Sequence, residues 1–267
     1  YAKEKKVKIR AHCKVDTGMC RTGIIYQDQE KNLDEIVSEY QMSNLQVEGI
    51  FSHFPVSDDL SKENKDFTSH QIELFHEVIV ALKEKGIDPG IRHIQNSYGI
   101  LNYGDLGFDY CRPGLLYMGV TSDDSIPIES QPDFIPILSL YANVSLVKWI
   151  HPGQSVSYGR HYIASKPVKV ATISIGYADG LPRLVSNQNL EVLVNGVRCP
   201  LIGNICMDQC MVDVTNVDSV HQGDIVCIIG TQNGERVTVD QISRLAHTIN
   251  NETLSCITAR VPRLEKR

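Results

Sequence analysis

The period of the hydrophobic pattern changes once along this chain, near residue 125, and that change constrains the fold more than any single motif. From Val7 to Val15 apolar residues alternate with Lys8, Arg10, His12 and Lys14, the two-residue period of a strand with one buried face. Leu33, Ile36, Val37 and Tyr40 then recur at helical spacing, and Val47 to Phe51 is a second short apolar run. Phe67, Ile72, Phe75, Ile79 and Leu82 mark a long amphipathic helix closed by Gly86. Arg92 to Gln95 and Leu115 to Val120 continue the rhythm as expected strands. Strand alternating with helix predicts parallel β/α units, in a barrel or a doubly wound sheet, over residues 1–125. A complete (β/α)8 barrel takes about 250 residues, so a barrel here would be an incomplete (β/α)8 TIM-type barrel lacking its first strands.

Beyond the polar stretch Thr121 to Pro132 the runs become short and β-rich: Ile137 to Ile150, Val168 to Ile175, Leu190 to Val194, Met211 to Val214 and Asp224 to Ile229. No long helical pattern interrupts them before Val239. Asn195-Gly196, between two valines, is a hairpin signal of the kind that needs two positive φ angles. Residues 126–267 are therefore expected to form an antiparallel β domain.

Composition narrows the function classes. With 42% hydrophobic and 22% charged residues the chain is globular, which excludes disorder, collagen and coiled coil. A net charge of −6 gives no reason to expect a nucleic-acid or anionic-membrane partner. Eight cysteines, mostly inside apolar runs, fit reduced thiols and a cytoplasmic catalytic domain. No stretch approaches the roughly 18 to 20 apolar residues needed to span a bilayer. The start at Tyr1, without an initiator Met and just before a core strand, reads as a chain cut from something longer.

Several local clusters can carry chemistry, and each has a plain structural alternative. Asp16 to Gly23, His53 and Asn96-Ser97 all follow expected strands, where α/β proteins place ligands, yet turn chemistry or a satisfied core histidine explains them equally well. Arg112 interrupts an apolar run and must be paired, with a ligand or with an Asp, since a lone buried guanidinium is very costly. Tyr158 beside Arg160 is a weak base unless cations or hydrogen bonds lower its pKa. Cys206 and Cys210 form one CxxxC with no second ligand pair, so no metal is expected. The P-loop, nucleophile-elbow and H-E-x-x-H patterns do not occur. The residues by themselves lead to an α/β plus β enzyme of unspecified cofactor.

Taken in order, the clusters are more specific. Lys14-Val-Asp-Thr-Gly-Met-Cys-Arg21-Thr-Gly, the His53 segment, His93-Ile-Gln-Asn96-Ser97, Arg112-Pro-Gly114, Ser157-Tyr158-Gly159, Gly176-Tyr-Ala-Asp-Gly180-Leu-Pro-Arg183, Cys206-Met-Asp-Gln209 and Arg260-Val-Pro-Arg263 resemble the alanine racemase family over essentially the whole chain. The resemblance implies a fold-type III pyridoxal 5'-phosphate enzyme with an N-terminal barrel and a C-terminal β domain. It also implies a small amino-acid substrate and a head-to-tail homodimer whose active sites join one subunit's barrel to the other's β domain. By position, Tyr158 would be a catalytic base reaching the partner's cofactor, hydrogen-bonded by His53. Arg112, supported by His93, would face the pyridine nitrogen. Ser97, Gly114 and Leu115 would hold the phosphate, with Asn96 nearby. Arg21, placed by a carbamylated Lys14, would orient the phenolate oxygen and the substrate carboxylate. Met207 would offer its backbone N–H to that carboxylate, and Tyr177, Arg183 and Asp208 would line the access channel.

Three departures from the family pattern carry expectations of their own. No segment here resembles the one that holds the family's cofactor lysine, which fits a truncated barrel or, alternatively, a non-catalytic homologue. Asn251 stands where alanine-specific members carry a tyrosine near the phosphate and the substrate side chain, leaving room and hydrogen bonds for a hydroxymethyl group. In this respect, and in Asn96 to Leu101, the chain looks like the membrane-tethered serine/alanine racemases of vancomycin-resistance clusters, which supply D-amino acids for peptidoglycan; an alanine-specific racemase of cell-wall synthesis is the alternative. Any tether would lie in a missing N-terminal segment. Asn204 stands where many members place an Arg in the access channel.

Overall fold

The structure is a computed structural model that describes residues 2–130 and 132–265. It divides into two compact units, Tyr1–Tyr117 with Ser125–Phe134, and Met118–Asp124 with Ile135–Arg267.

In the first unit the elements run α1 (Ala2–Lys5), β1 (Ile9–Asp16), β2 (Ile24–Gln27), β3 (Glu30–Lys31), α2 (Leu33–Tyr40), β4 (Leu45–Phe51), α3 (Lys62–Glu84), β5 (Ile91–His93) and α4 (Ser97–Tyr103). The sheet order is β3-β2-β1-β4-β5, with β2, β1, β4 and β5 parallel and the two-residue β3 antiparallel at the edge. This is the barrel-like part. Cys13, Val15 and Ile50 point to the helix side, where they pack with Ile36 of α2 and with Leu74, Phe75, Val78 and Leu82 of α3. Each such side chain contributes about 1.5–3 kcal/mol by leaving water. The alternate residues His12, Lys14, Gly49, Phe51 and His93 occupy the other face. The register pairs Lys14 with Phe51 and Phe51 with His93, so the candidates Lys14 and His93 stand in one row on either side of Phe51.

The second unit contains β6 (Leu140–Ile150), β7 (Ser155–Val156), β8 (Tyr162–Ile163), β9 (Val168–Ile173), β10 (Glu191–Val194), β11 (Val197–Pro200), β12 (Cys210–Asp213), β13 (Ile225–Gln232), β14 (Glu235–Val237), α5 (Val239–Leu245) and α6 (Asn250–Ser255). Six strands follow the order β11-β10-β13-β6-β9-β12, β14 adds to β13, and every pairing is antiparallel. Asn195 and Gly196 both take positive φ, 53° and 83°, and close the β10–β11 hairpin as their sequence demands. Val144, Ala171, Ile173, Val192, Val212 and Ile228 belong to the core of this unit.

Two expectations need correction. Leu115 to Val120 is not a strand but a short 3-10 turn, Leu115–Met118, in which Tyr117 N–H donates to Gly114 O at 3.1 Å. The next β-like position after β5 is Tyr110, which bridges His93 in parallel. Nor does the chain change units once at 125. Residues 118–124 belong to the second unit, where Ile137 N–H donates to Met118 O and Asn250 holds the carbonyls of Thr121 and Ser122. Gly119 approaches Ile135 so closely that a Cβ would lie 1.9 Å from its carbonyl oxygen. Residues 125–134 return to the first unit, where Ser130 donates to Leu101 O from both N–H and Oγ and Glu129 pairs with Lys65 at 2.9 Å.

Candidate active site

In the first unit the strand ends and the Tyr110–Gly114 segment converge on Arg112. Arg112 N–H donates to Gln95 O at 2.9 Å, which lays this segment alongside β5. Its half-buried guanidinium donates to Ser52 O at 2.7 Å, Ile94 O at 3.2 Å, His53 Nδ1 at 3.1 Å and His93 Nδ1, and lies 5.2 Å from the Phe51 ring centre. Of the two expected partners, an Asp or a ligand, no Asp bonds it among the described residues; two carbonyls and two imidazoles accept from it. The substitution works because a guanidinium has five donors and needs only acceptors, charged or not.

That arrangement fixes the protons of the histidines. A guanidinium can only donate, so His53 Nδ1 and His93 Nδ1 must accept, and the neutral rings carry hydrogen on Nε2. Burial first, and then the Arg112 charge, push both His53 and His93 down to about 4. His93 Nε2 in turn lies 2.7 Å from His12 Nδ1. Gly49, opposite His12, makes room for it: a Cβ there would come 2.8 Å from the imidazole. Nothing in the sequence marks His12 as a site residue beyond its place two residues before Lys14, which puts both on one strand face.

Lys14 Nζ donates to Thr22 Oγ1 at 2.5 Å, and its pKa is lowered by burial and by Arg21. The loop that carries Arg21 is held by Asp16 Oδ1, which accepts from Gly18 N–H at 2.9 Å and Cys20 N–H at 3.1 Å. Arg21 itself is exposed. The buried Gln71 of α3 donates to Thr17 Oγ1 at 3.2 Å and His53 O at 3.3 Å, and Thr17 Oγ1 meets Ser52 Oγ at 2.8 Å. Gln71 is a second residue the pattern did not reveal, since its spacing on α3 reads as core.

Ser97 and Gly114 are brought together: Gly114 N–H donates to Ser97 Oγ at 2.9 Å. Asn96 caps α4, accepting from Gly99 N–H at 2.8 Å, and receives Ser57 Oγ at 2.9 Å. Leu115 opens the 3-10 turn just beyond Gly114.

In the second unit Tyr158 begins another short turn, Tyr158–Arg160, and is 72% exposed. Asn204 Nδ2 donates to Tyr158 O at 2.8 Å, and Asn204 O accepts Ser157 Oγ at 2.6 Å. Asn204 is thus a buried clamp on the Tyr158 turn. Arg160 is occupied by Ser155 Oγ at 3.0 Å. Tyr158, Ser157, Cys206 and Gln209 line a cavity of 790 Å³ with residues of β6 and β9. Tyr177 and Met207 lie on two adjoining loops, with Tyr177 N–H donating to Cys206 O at 3.1 Å. Arg183 opens a separate turn and makes no side-chain hydrogen bond to those loops among the described residues. Of the Asn250-Asn251 pair, Asn250 is fully buried and Asn251 is exposed on the first turn of α6. Among the described residues no group of three His, Cys, Asp or Glu could hold a metal ion, and no helix is long and apolar enough to cross a membrane.

Comparison with known proteins matches residues 1–122 to "Alanine racemase, N-terminal domain" and residues 137–265 to "Alanine racemase, C-terminal domain". An alanine racemase of Caldanaerobacter subterraneus subsp. tengcongensis is 41% identical over 266 residues, covering 98% of this chain and 66% of the relative. An amino-acid racemase of Enterococcus faecalis is 38% identical over 260 residues, covering 96% of this chain and 35% of the relative. The crystal structure of alanine racemase from Bacillus anthracis with bound L-Ala-P is 30% identical, with a TM-score of 0.85 over 97% of this chain and 65% of that one. The chain spans about two thirds of the length of most of the curated relatives it matches.

Proposed function

The chain belongs to the alanine racemase family, whose members depend on pyridoxal phosphate, and on that premise we propose that it forms part of a racemase interconverting the L and D forms of alanine and serine. The observation that carries this reading is the guanidinium of Arg112, surrounded by neutral acceptors only.

The residues present fit the cofactor. Arg112 has no carboxylate to neutralise it, so it can turn a donor toward a ring nitrogen without giving up its proton. Ser97 Oγ and Gly114 N–H are brought to one place, and a Cβ at Gly114 would find only Ser97 Oγ, at 3.6 Å. Bound pyridoxal phosphate supplies the electron sink that makes an amino acid's α-hydrogen removable. An arginine rather than a carboxylate at the ring nitrogen would weaken that sink and limit side reactions.

Tyr158 acts as one base, with its phenol oxygen taking or returning the α-proton on one face. His53, neutral and protonated on Nε2, can donate to that oxygen and so favour its anionic form. Arg21, exposed beside Lys14, orients the phenol oxygen and the substrate carboxylate. The lowered pKa of Lys14 enlarges the fraction of neutral amine, the form that carbon dioxide carbamylates. Met207 N–H, unclaimed among the described residues, donates to the carboxylate. Tyr177 and Asp208 line the approach. Two copies of the protein would share these sites, one supplying Tyr158 and the other the Arg112 cluster.

Serine is included because of Asn251. Its neighbour Asn250 is consumed by structural bonds, which leaves Asn251 on the surface with an amide free to meet a hydroxymethyl group. The Enterococcus faecalis relative, named for amino acids rather than for alanine, supports the wider range. Racemisation of L-alanine and L-serine by the full-length protein with added pyridoxal phosphate tests the reading. Turnover of both is expected, alanine alone would discard the serine part, and turnover of neither would overturn it.

A further inference from the structure

The Arg260-Val-Pro-Arg263 motif has no role in the site so far, yet its first residue joins the two loops of the second unit that carry Tyr177 and Met207. Tyr177 N–H donates to Cys206 O at 3.1 Å and Ala178 N–H to Met207 O at 3.0 Å. The two backbones are so close that a Cβ on Gly176 would lie 2.3 Å from both carbonyl oxygens. These bonds use the carbonyls of Cys206 and Met207 and leave Met207 N–H without an acceptor among the described residues.

Arg260 spans this pair. Its Nη2 donates to Asp208 Oδ1 at 2.6 Å, next to Met207, and its Nε lies 3.3 Å from Asp179 Oδ1, two residues after Tyr177. The other oxygen of Asp179 accepts Gly176 N–H at 2.9 Å. Thr258 adds two bonds to the same loop, from N–H to Asp179 O at 3.1 Å and from Oγ1 to Ala178 O at 3.0 Å. Arg263 folds back onto the carbonyls of Ile257, Thr258 and Val261 at 2.5 to 2.8 Å, which stiffens the turn that presents Arg260.

We infer that Arg260 is a positioning residue that locks the two loops together and so holds Met207 N–H in place for the substrate carboxylate. The inference rests on the racemase reading above. Magnitude separates it from a merely structural role. The Arg260 side chain is 52% exposed, and an ion pair at such a site contributes about 0–1 kcal/mol to stability. A misplaced donor, in contrast, costs binding at the carboxylate directly.

The test uses the full-length holoenzyme with Arg260→Met and Arg260→Lys. Arg260→Met should raise KM for L-alanine about tenfold and leave kcat within about twofold, because the donor serves binding. Binding of propionate, a carboxylate that lacks the amine, should weaken by a similar factor, and the amides of Tyr177 and Ala178 should exchange hydrogen faster. Arg260→Lys, which keeps one donor, should recover part of each effect. Unchanged exchange at those amides would overturn the lock. Faster exchange with unchanged propionate binding would overturn the positioning role. If the unaltered protein racemises nothing, the racemase reading fails, and the exchange measurement still decides whether the lock exists.

Discussion

His93 Nε2 lies 2.7 Å from His12 Nδ1, and the direction of this bond is imposed from the far side of His93 by Arg112. Because Arg112 can only donate, His93 Nε2 carries the hydrogen and His12 Nδ1 accepts it. His12→Leu should therefore strand a buried donor and cost about 1–3 kcal/mol in urea unfolding. His12→Asn, whose Oδ1 can accept, should recover much of it. Nitrogen NMR of His93 should report the Nε2–H form in the unaltered protein.

The depressed histidines set a pH dependence of stability. His53 and His93 titrate at about 4 in the fold, against an ordinary 6.5. Between those values the unfolded chain binds protons that the folded one does not, so stability falls as pH drops from 6.5 towards 4 and levels off below. Asp109, held at about 2 chiefly by Arg92, acts in a lower window: its contribution is present above 3.8 and lost on the way to 2. Urea midpoints at about pH 7 and about pH 4.5 should differ, and His93→Gln should shrink the difference.

Adjacent asparagines should behave oppositely. Asn250, itself fully buried, accepts Ser243 Oγ at 2.7 Å and donates to Thr121 O at 2.9 Å and Asp240 Oδ1 at 2.5 Å. Asn250→Ala should destabilise by about 2 kcal/mol or more, since it leaves those groups unpaired. Asn251→Ala should stay within about 0.5 kcal/mol on thermal melting.

Asn251 is expected to matter for substrate choice instead. Asn251→Tyr in the full-length protein should lower serine turnover relative to alanine, by about tenfold if the amide bonds the hydroxyl. An unchanged ratio would remove the serine argument.

Tyr158→Phe keeps the ring and deletes only the phenol oxygen. Racemisation should fall most strongly in one direction, because each face of the substrate has its own base. Near-normal rates both ways, measured separately from L- and D-alanine, would sink the assignment.

Much of this was legible in the chain. Alternation in Val7 to Val15 gave β1, and the Asn195-Gly196 pair marked the β10–β11 hairpin, because both signals are local and a few residues decide them. The row Lys14, Phe51, His93 could not be read, since it depends on register between strands about 40 residues apart. Leu115 to Val120 looked like a strand because it is apolar, yet two flanking glycines and the Gly114 carbonyl turn it into a 3-10 turn. The bond by which the Asn204 amide grips the Tyr158 turn was equally illegible, since it joins residues 46 positions apart.

The exchange of segments around Gly119 bears on how such a chain can be divided. A splice at 125 would carry Met118–Asp124 away from the residues that hold it, leaving Asn250 facing nothing and Ile137 without its acceptor at Met118. Chimaeras that swap the second unit between relatives must move 118–124 together with 135–265 and leave 125–134 behind. For this protein the unit of inheritance is not a contiguous stretch of sequence.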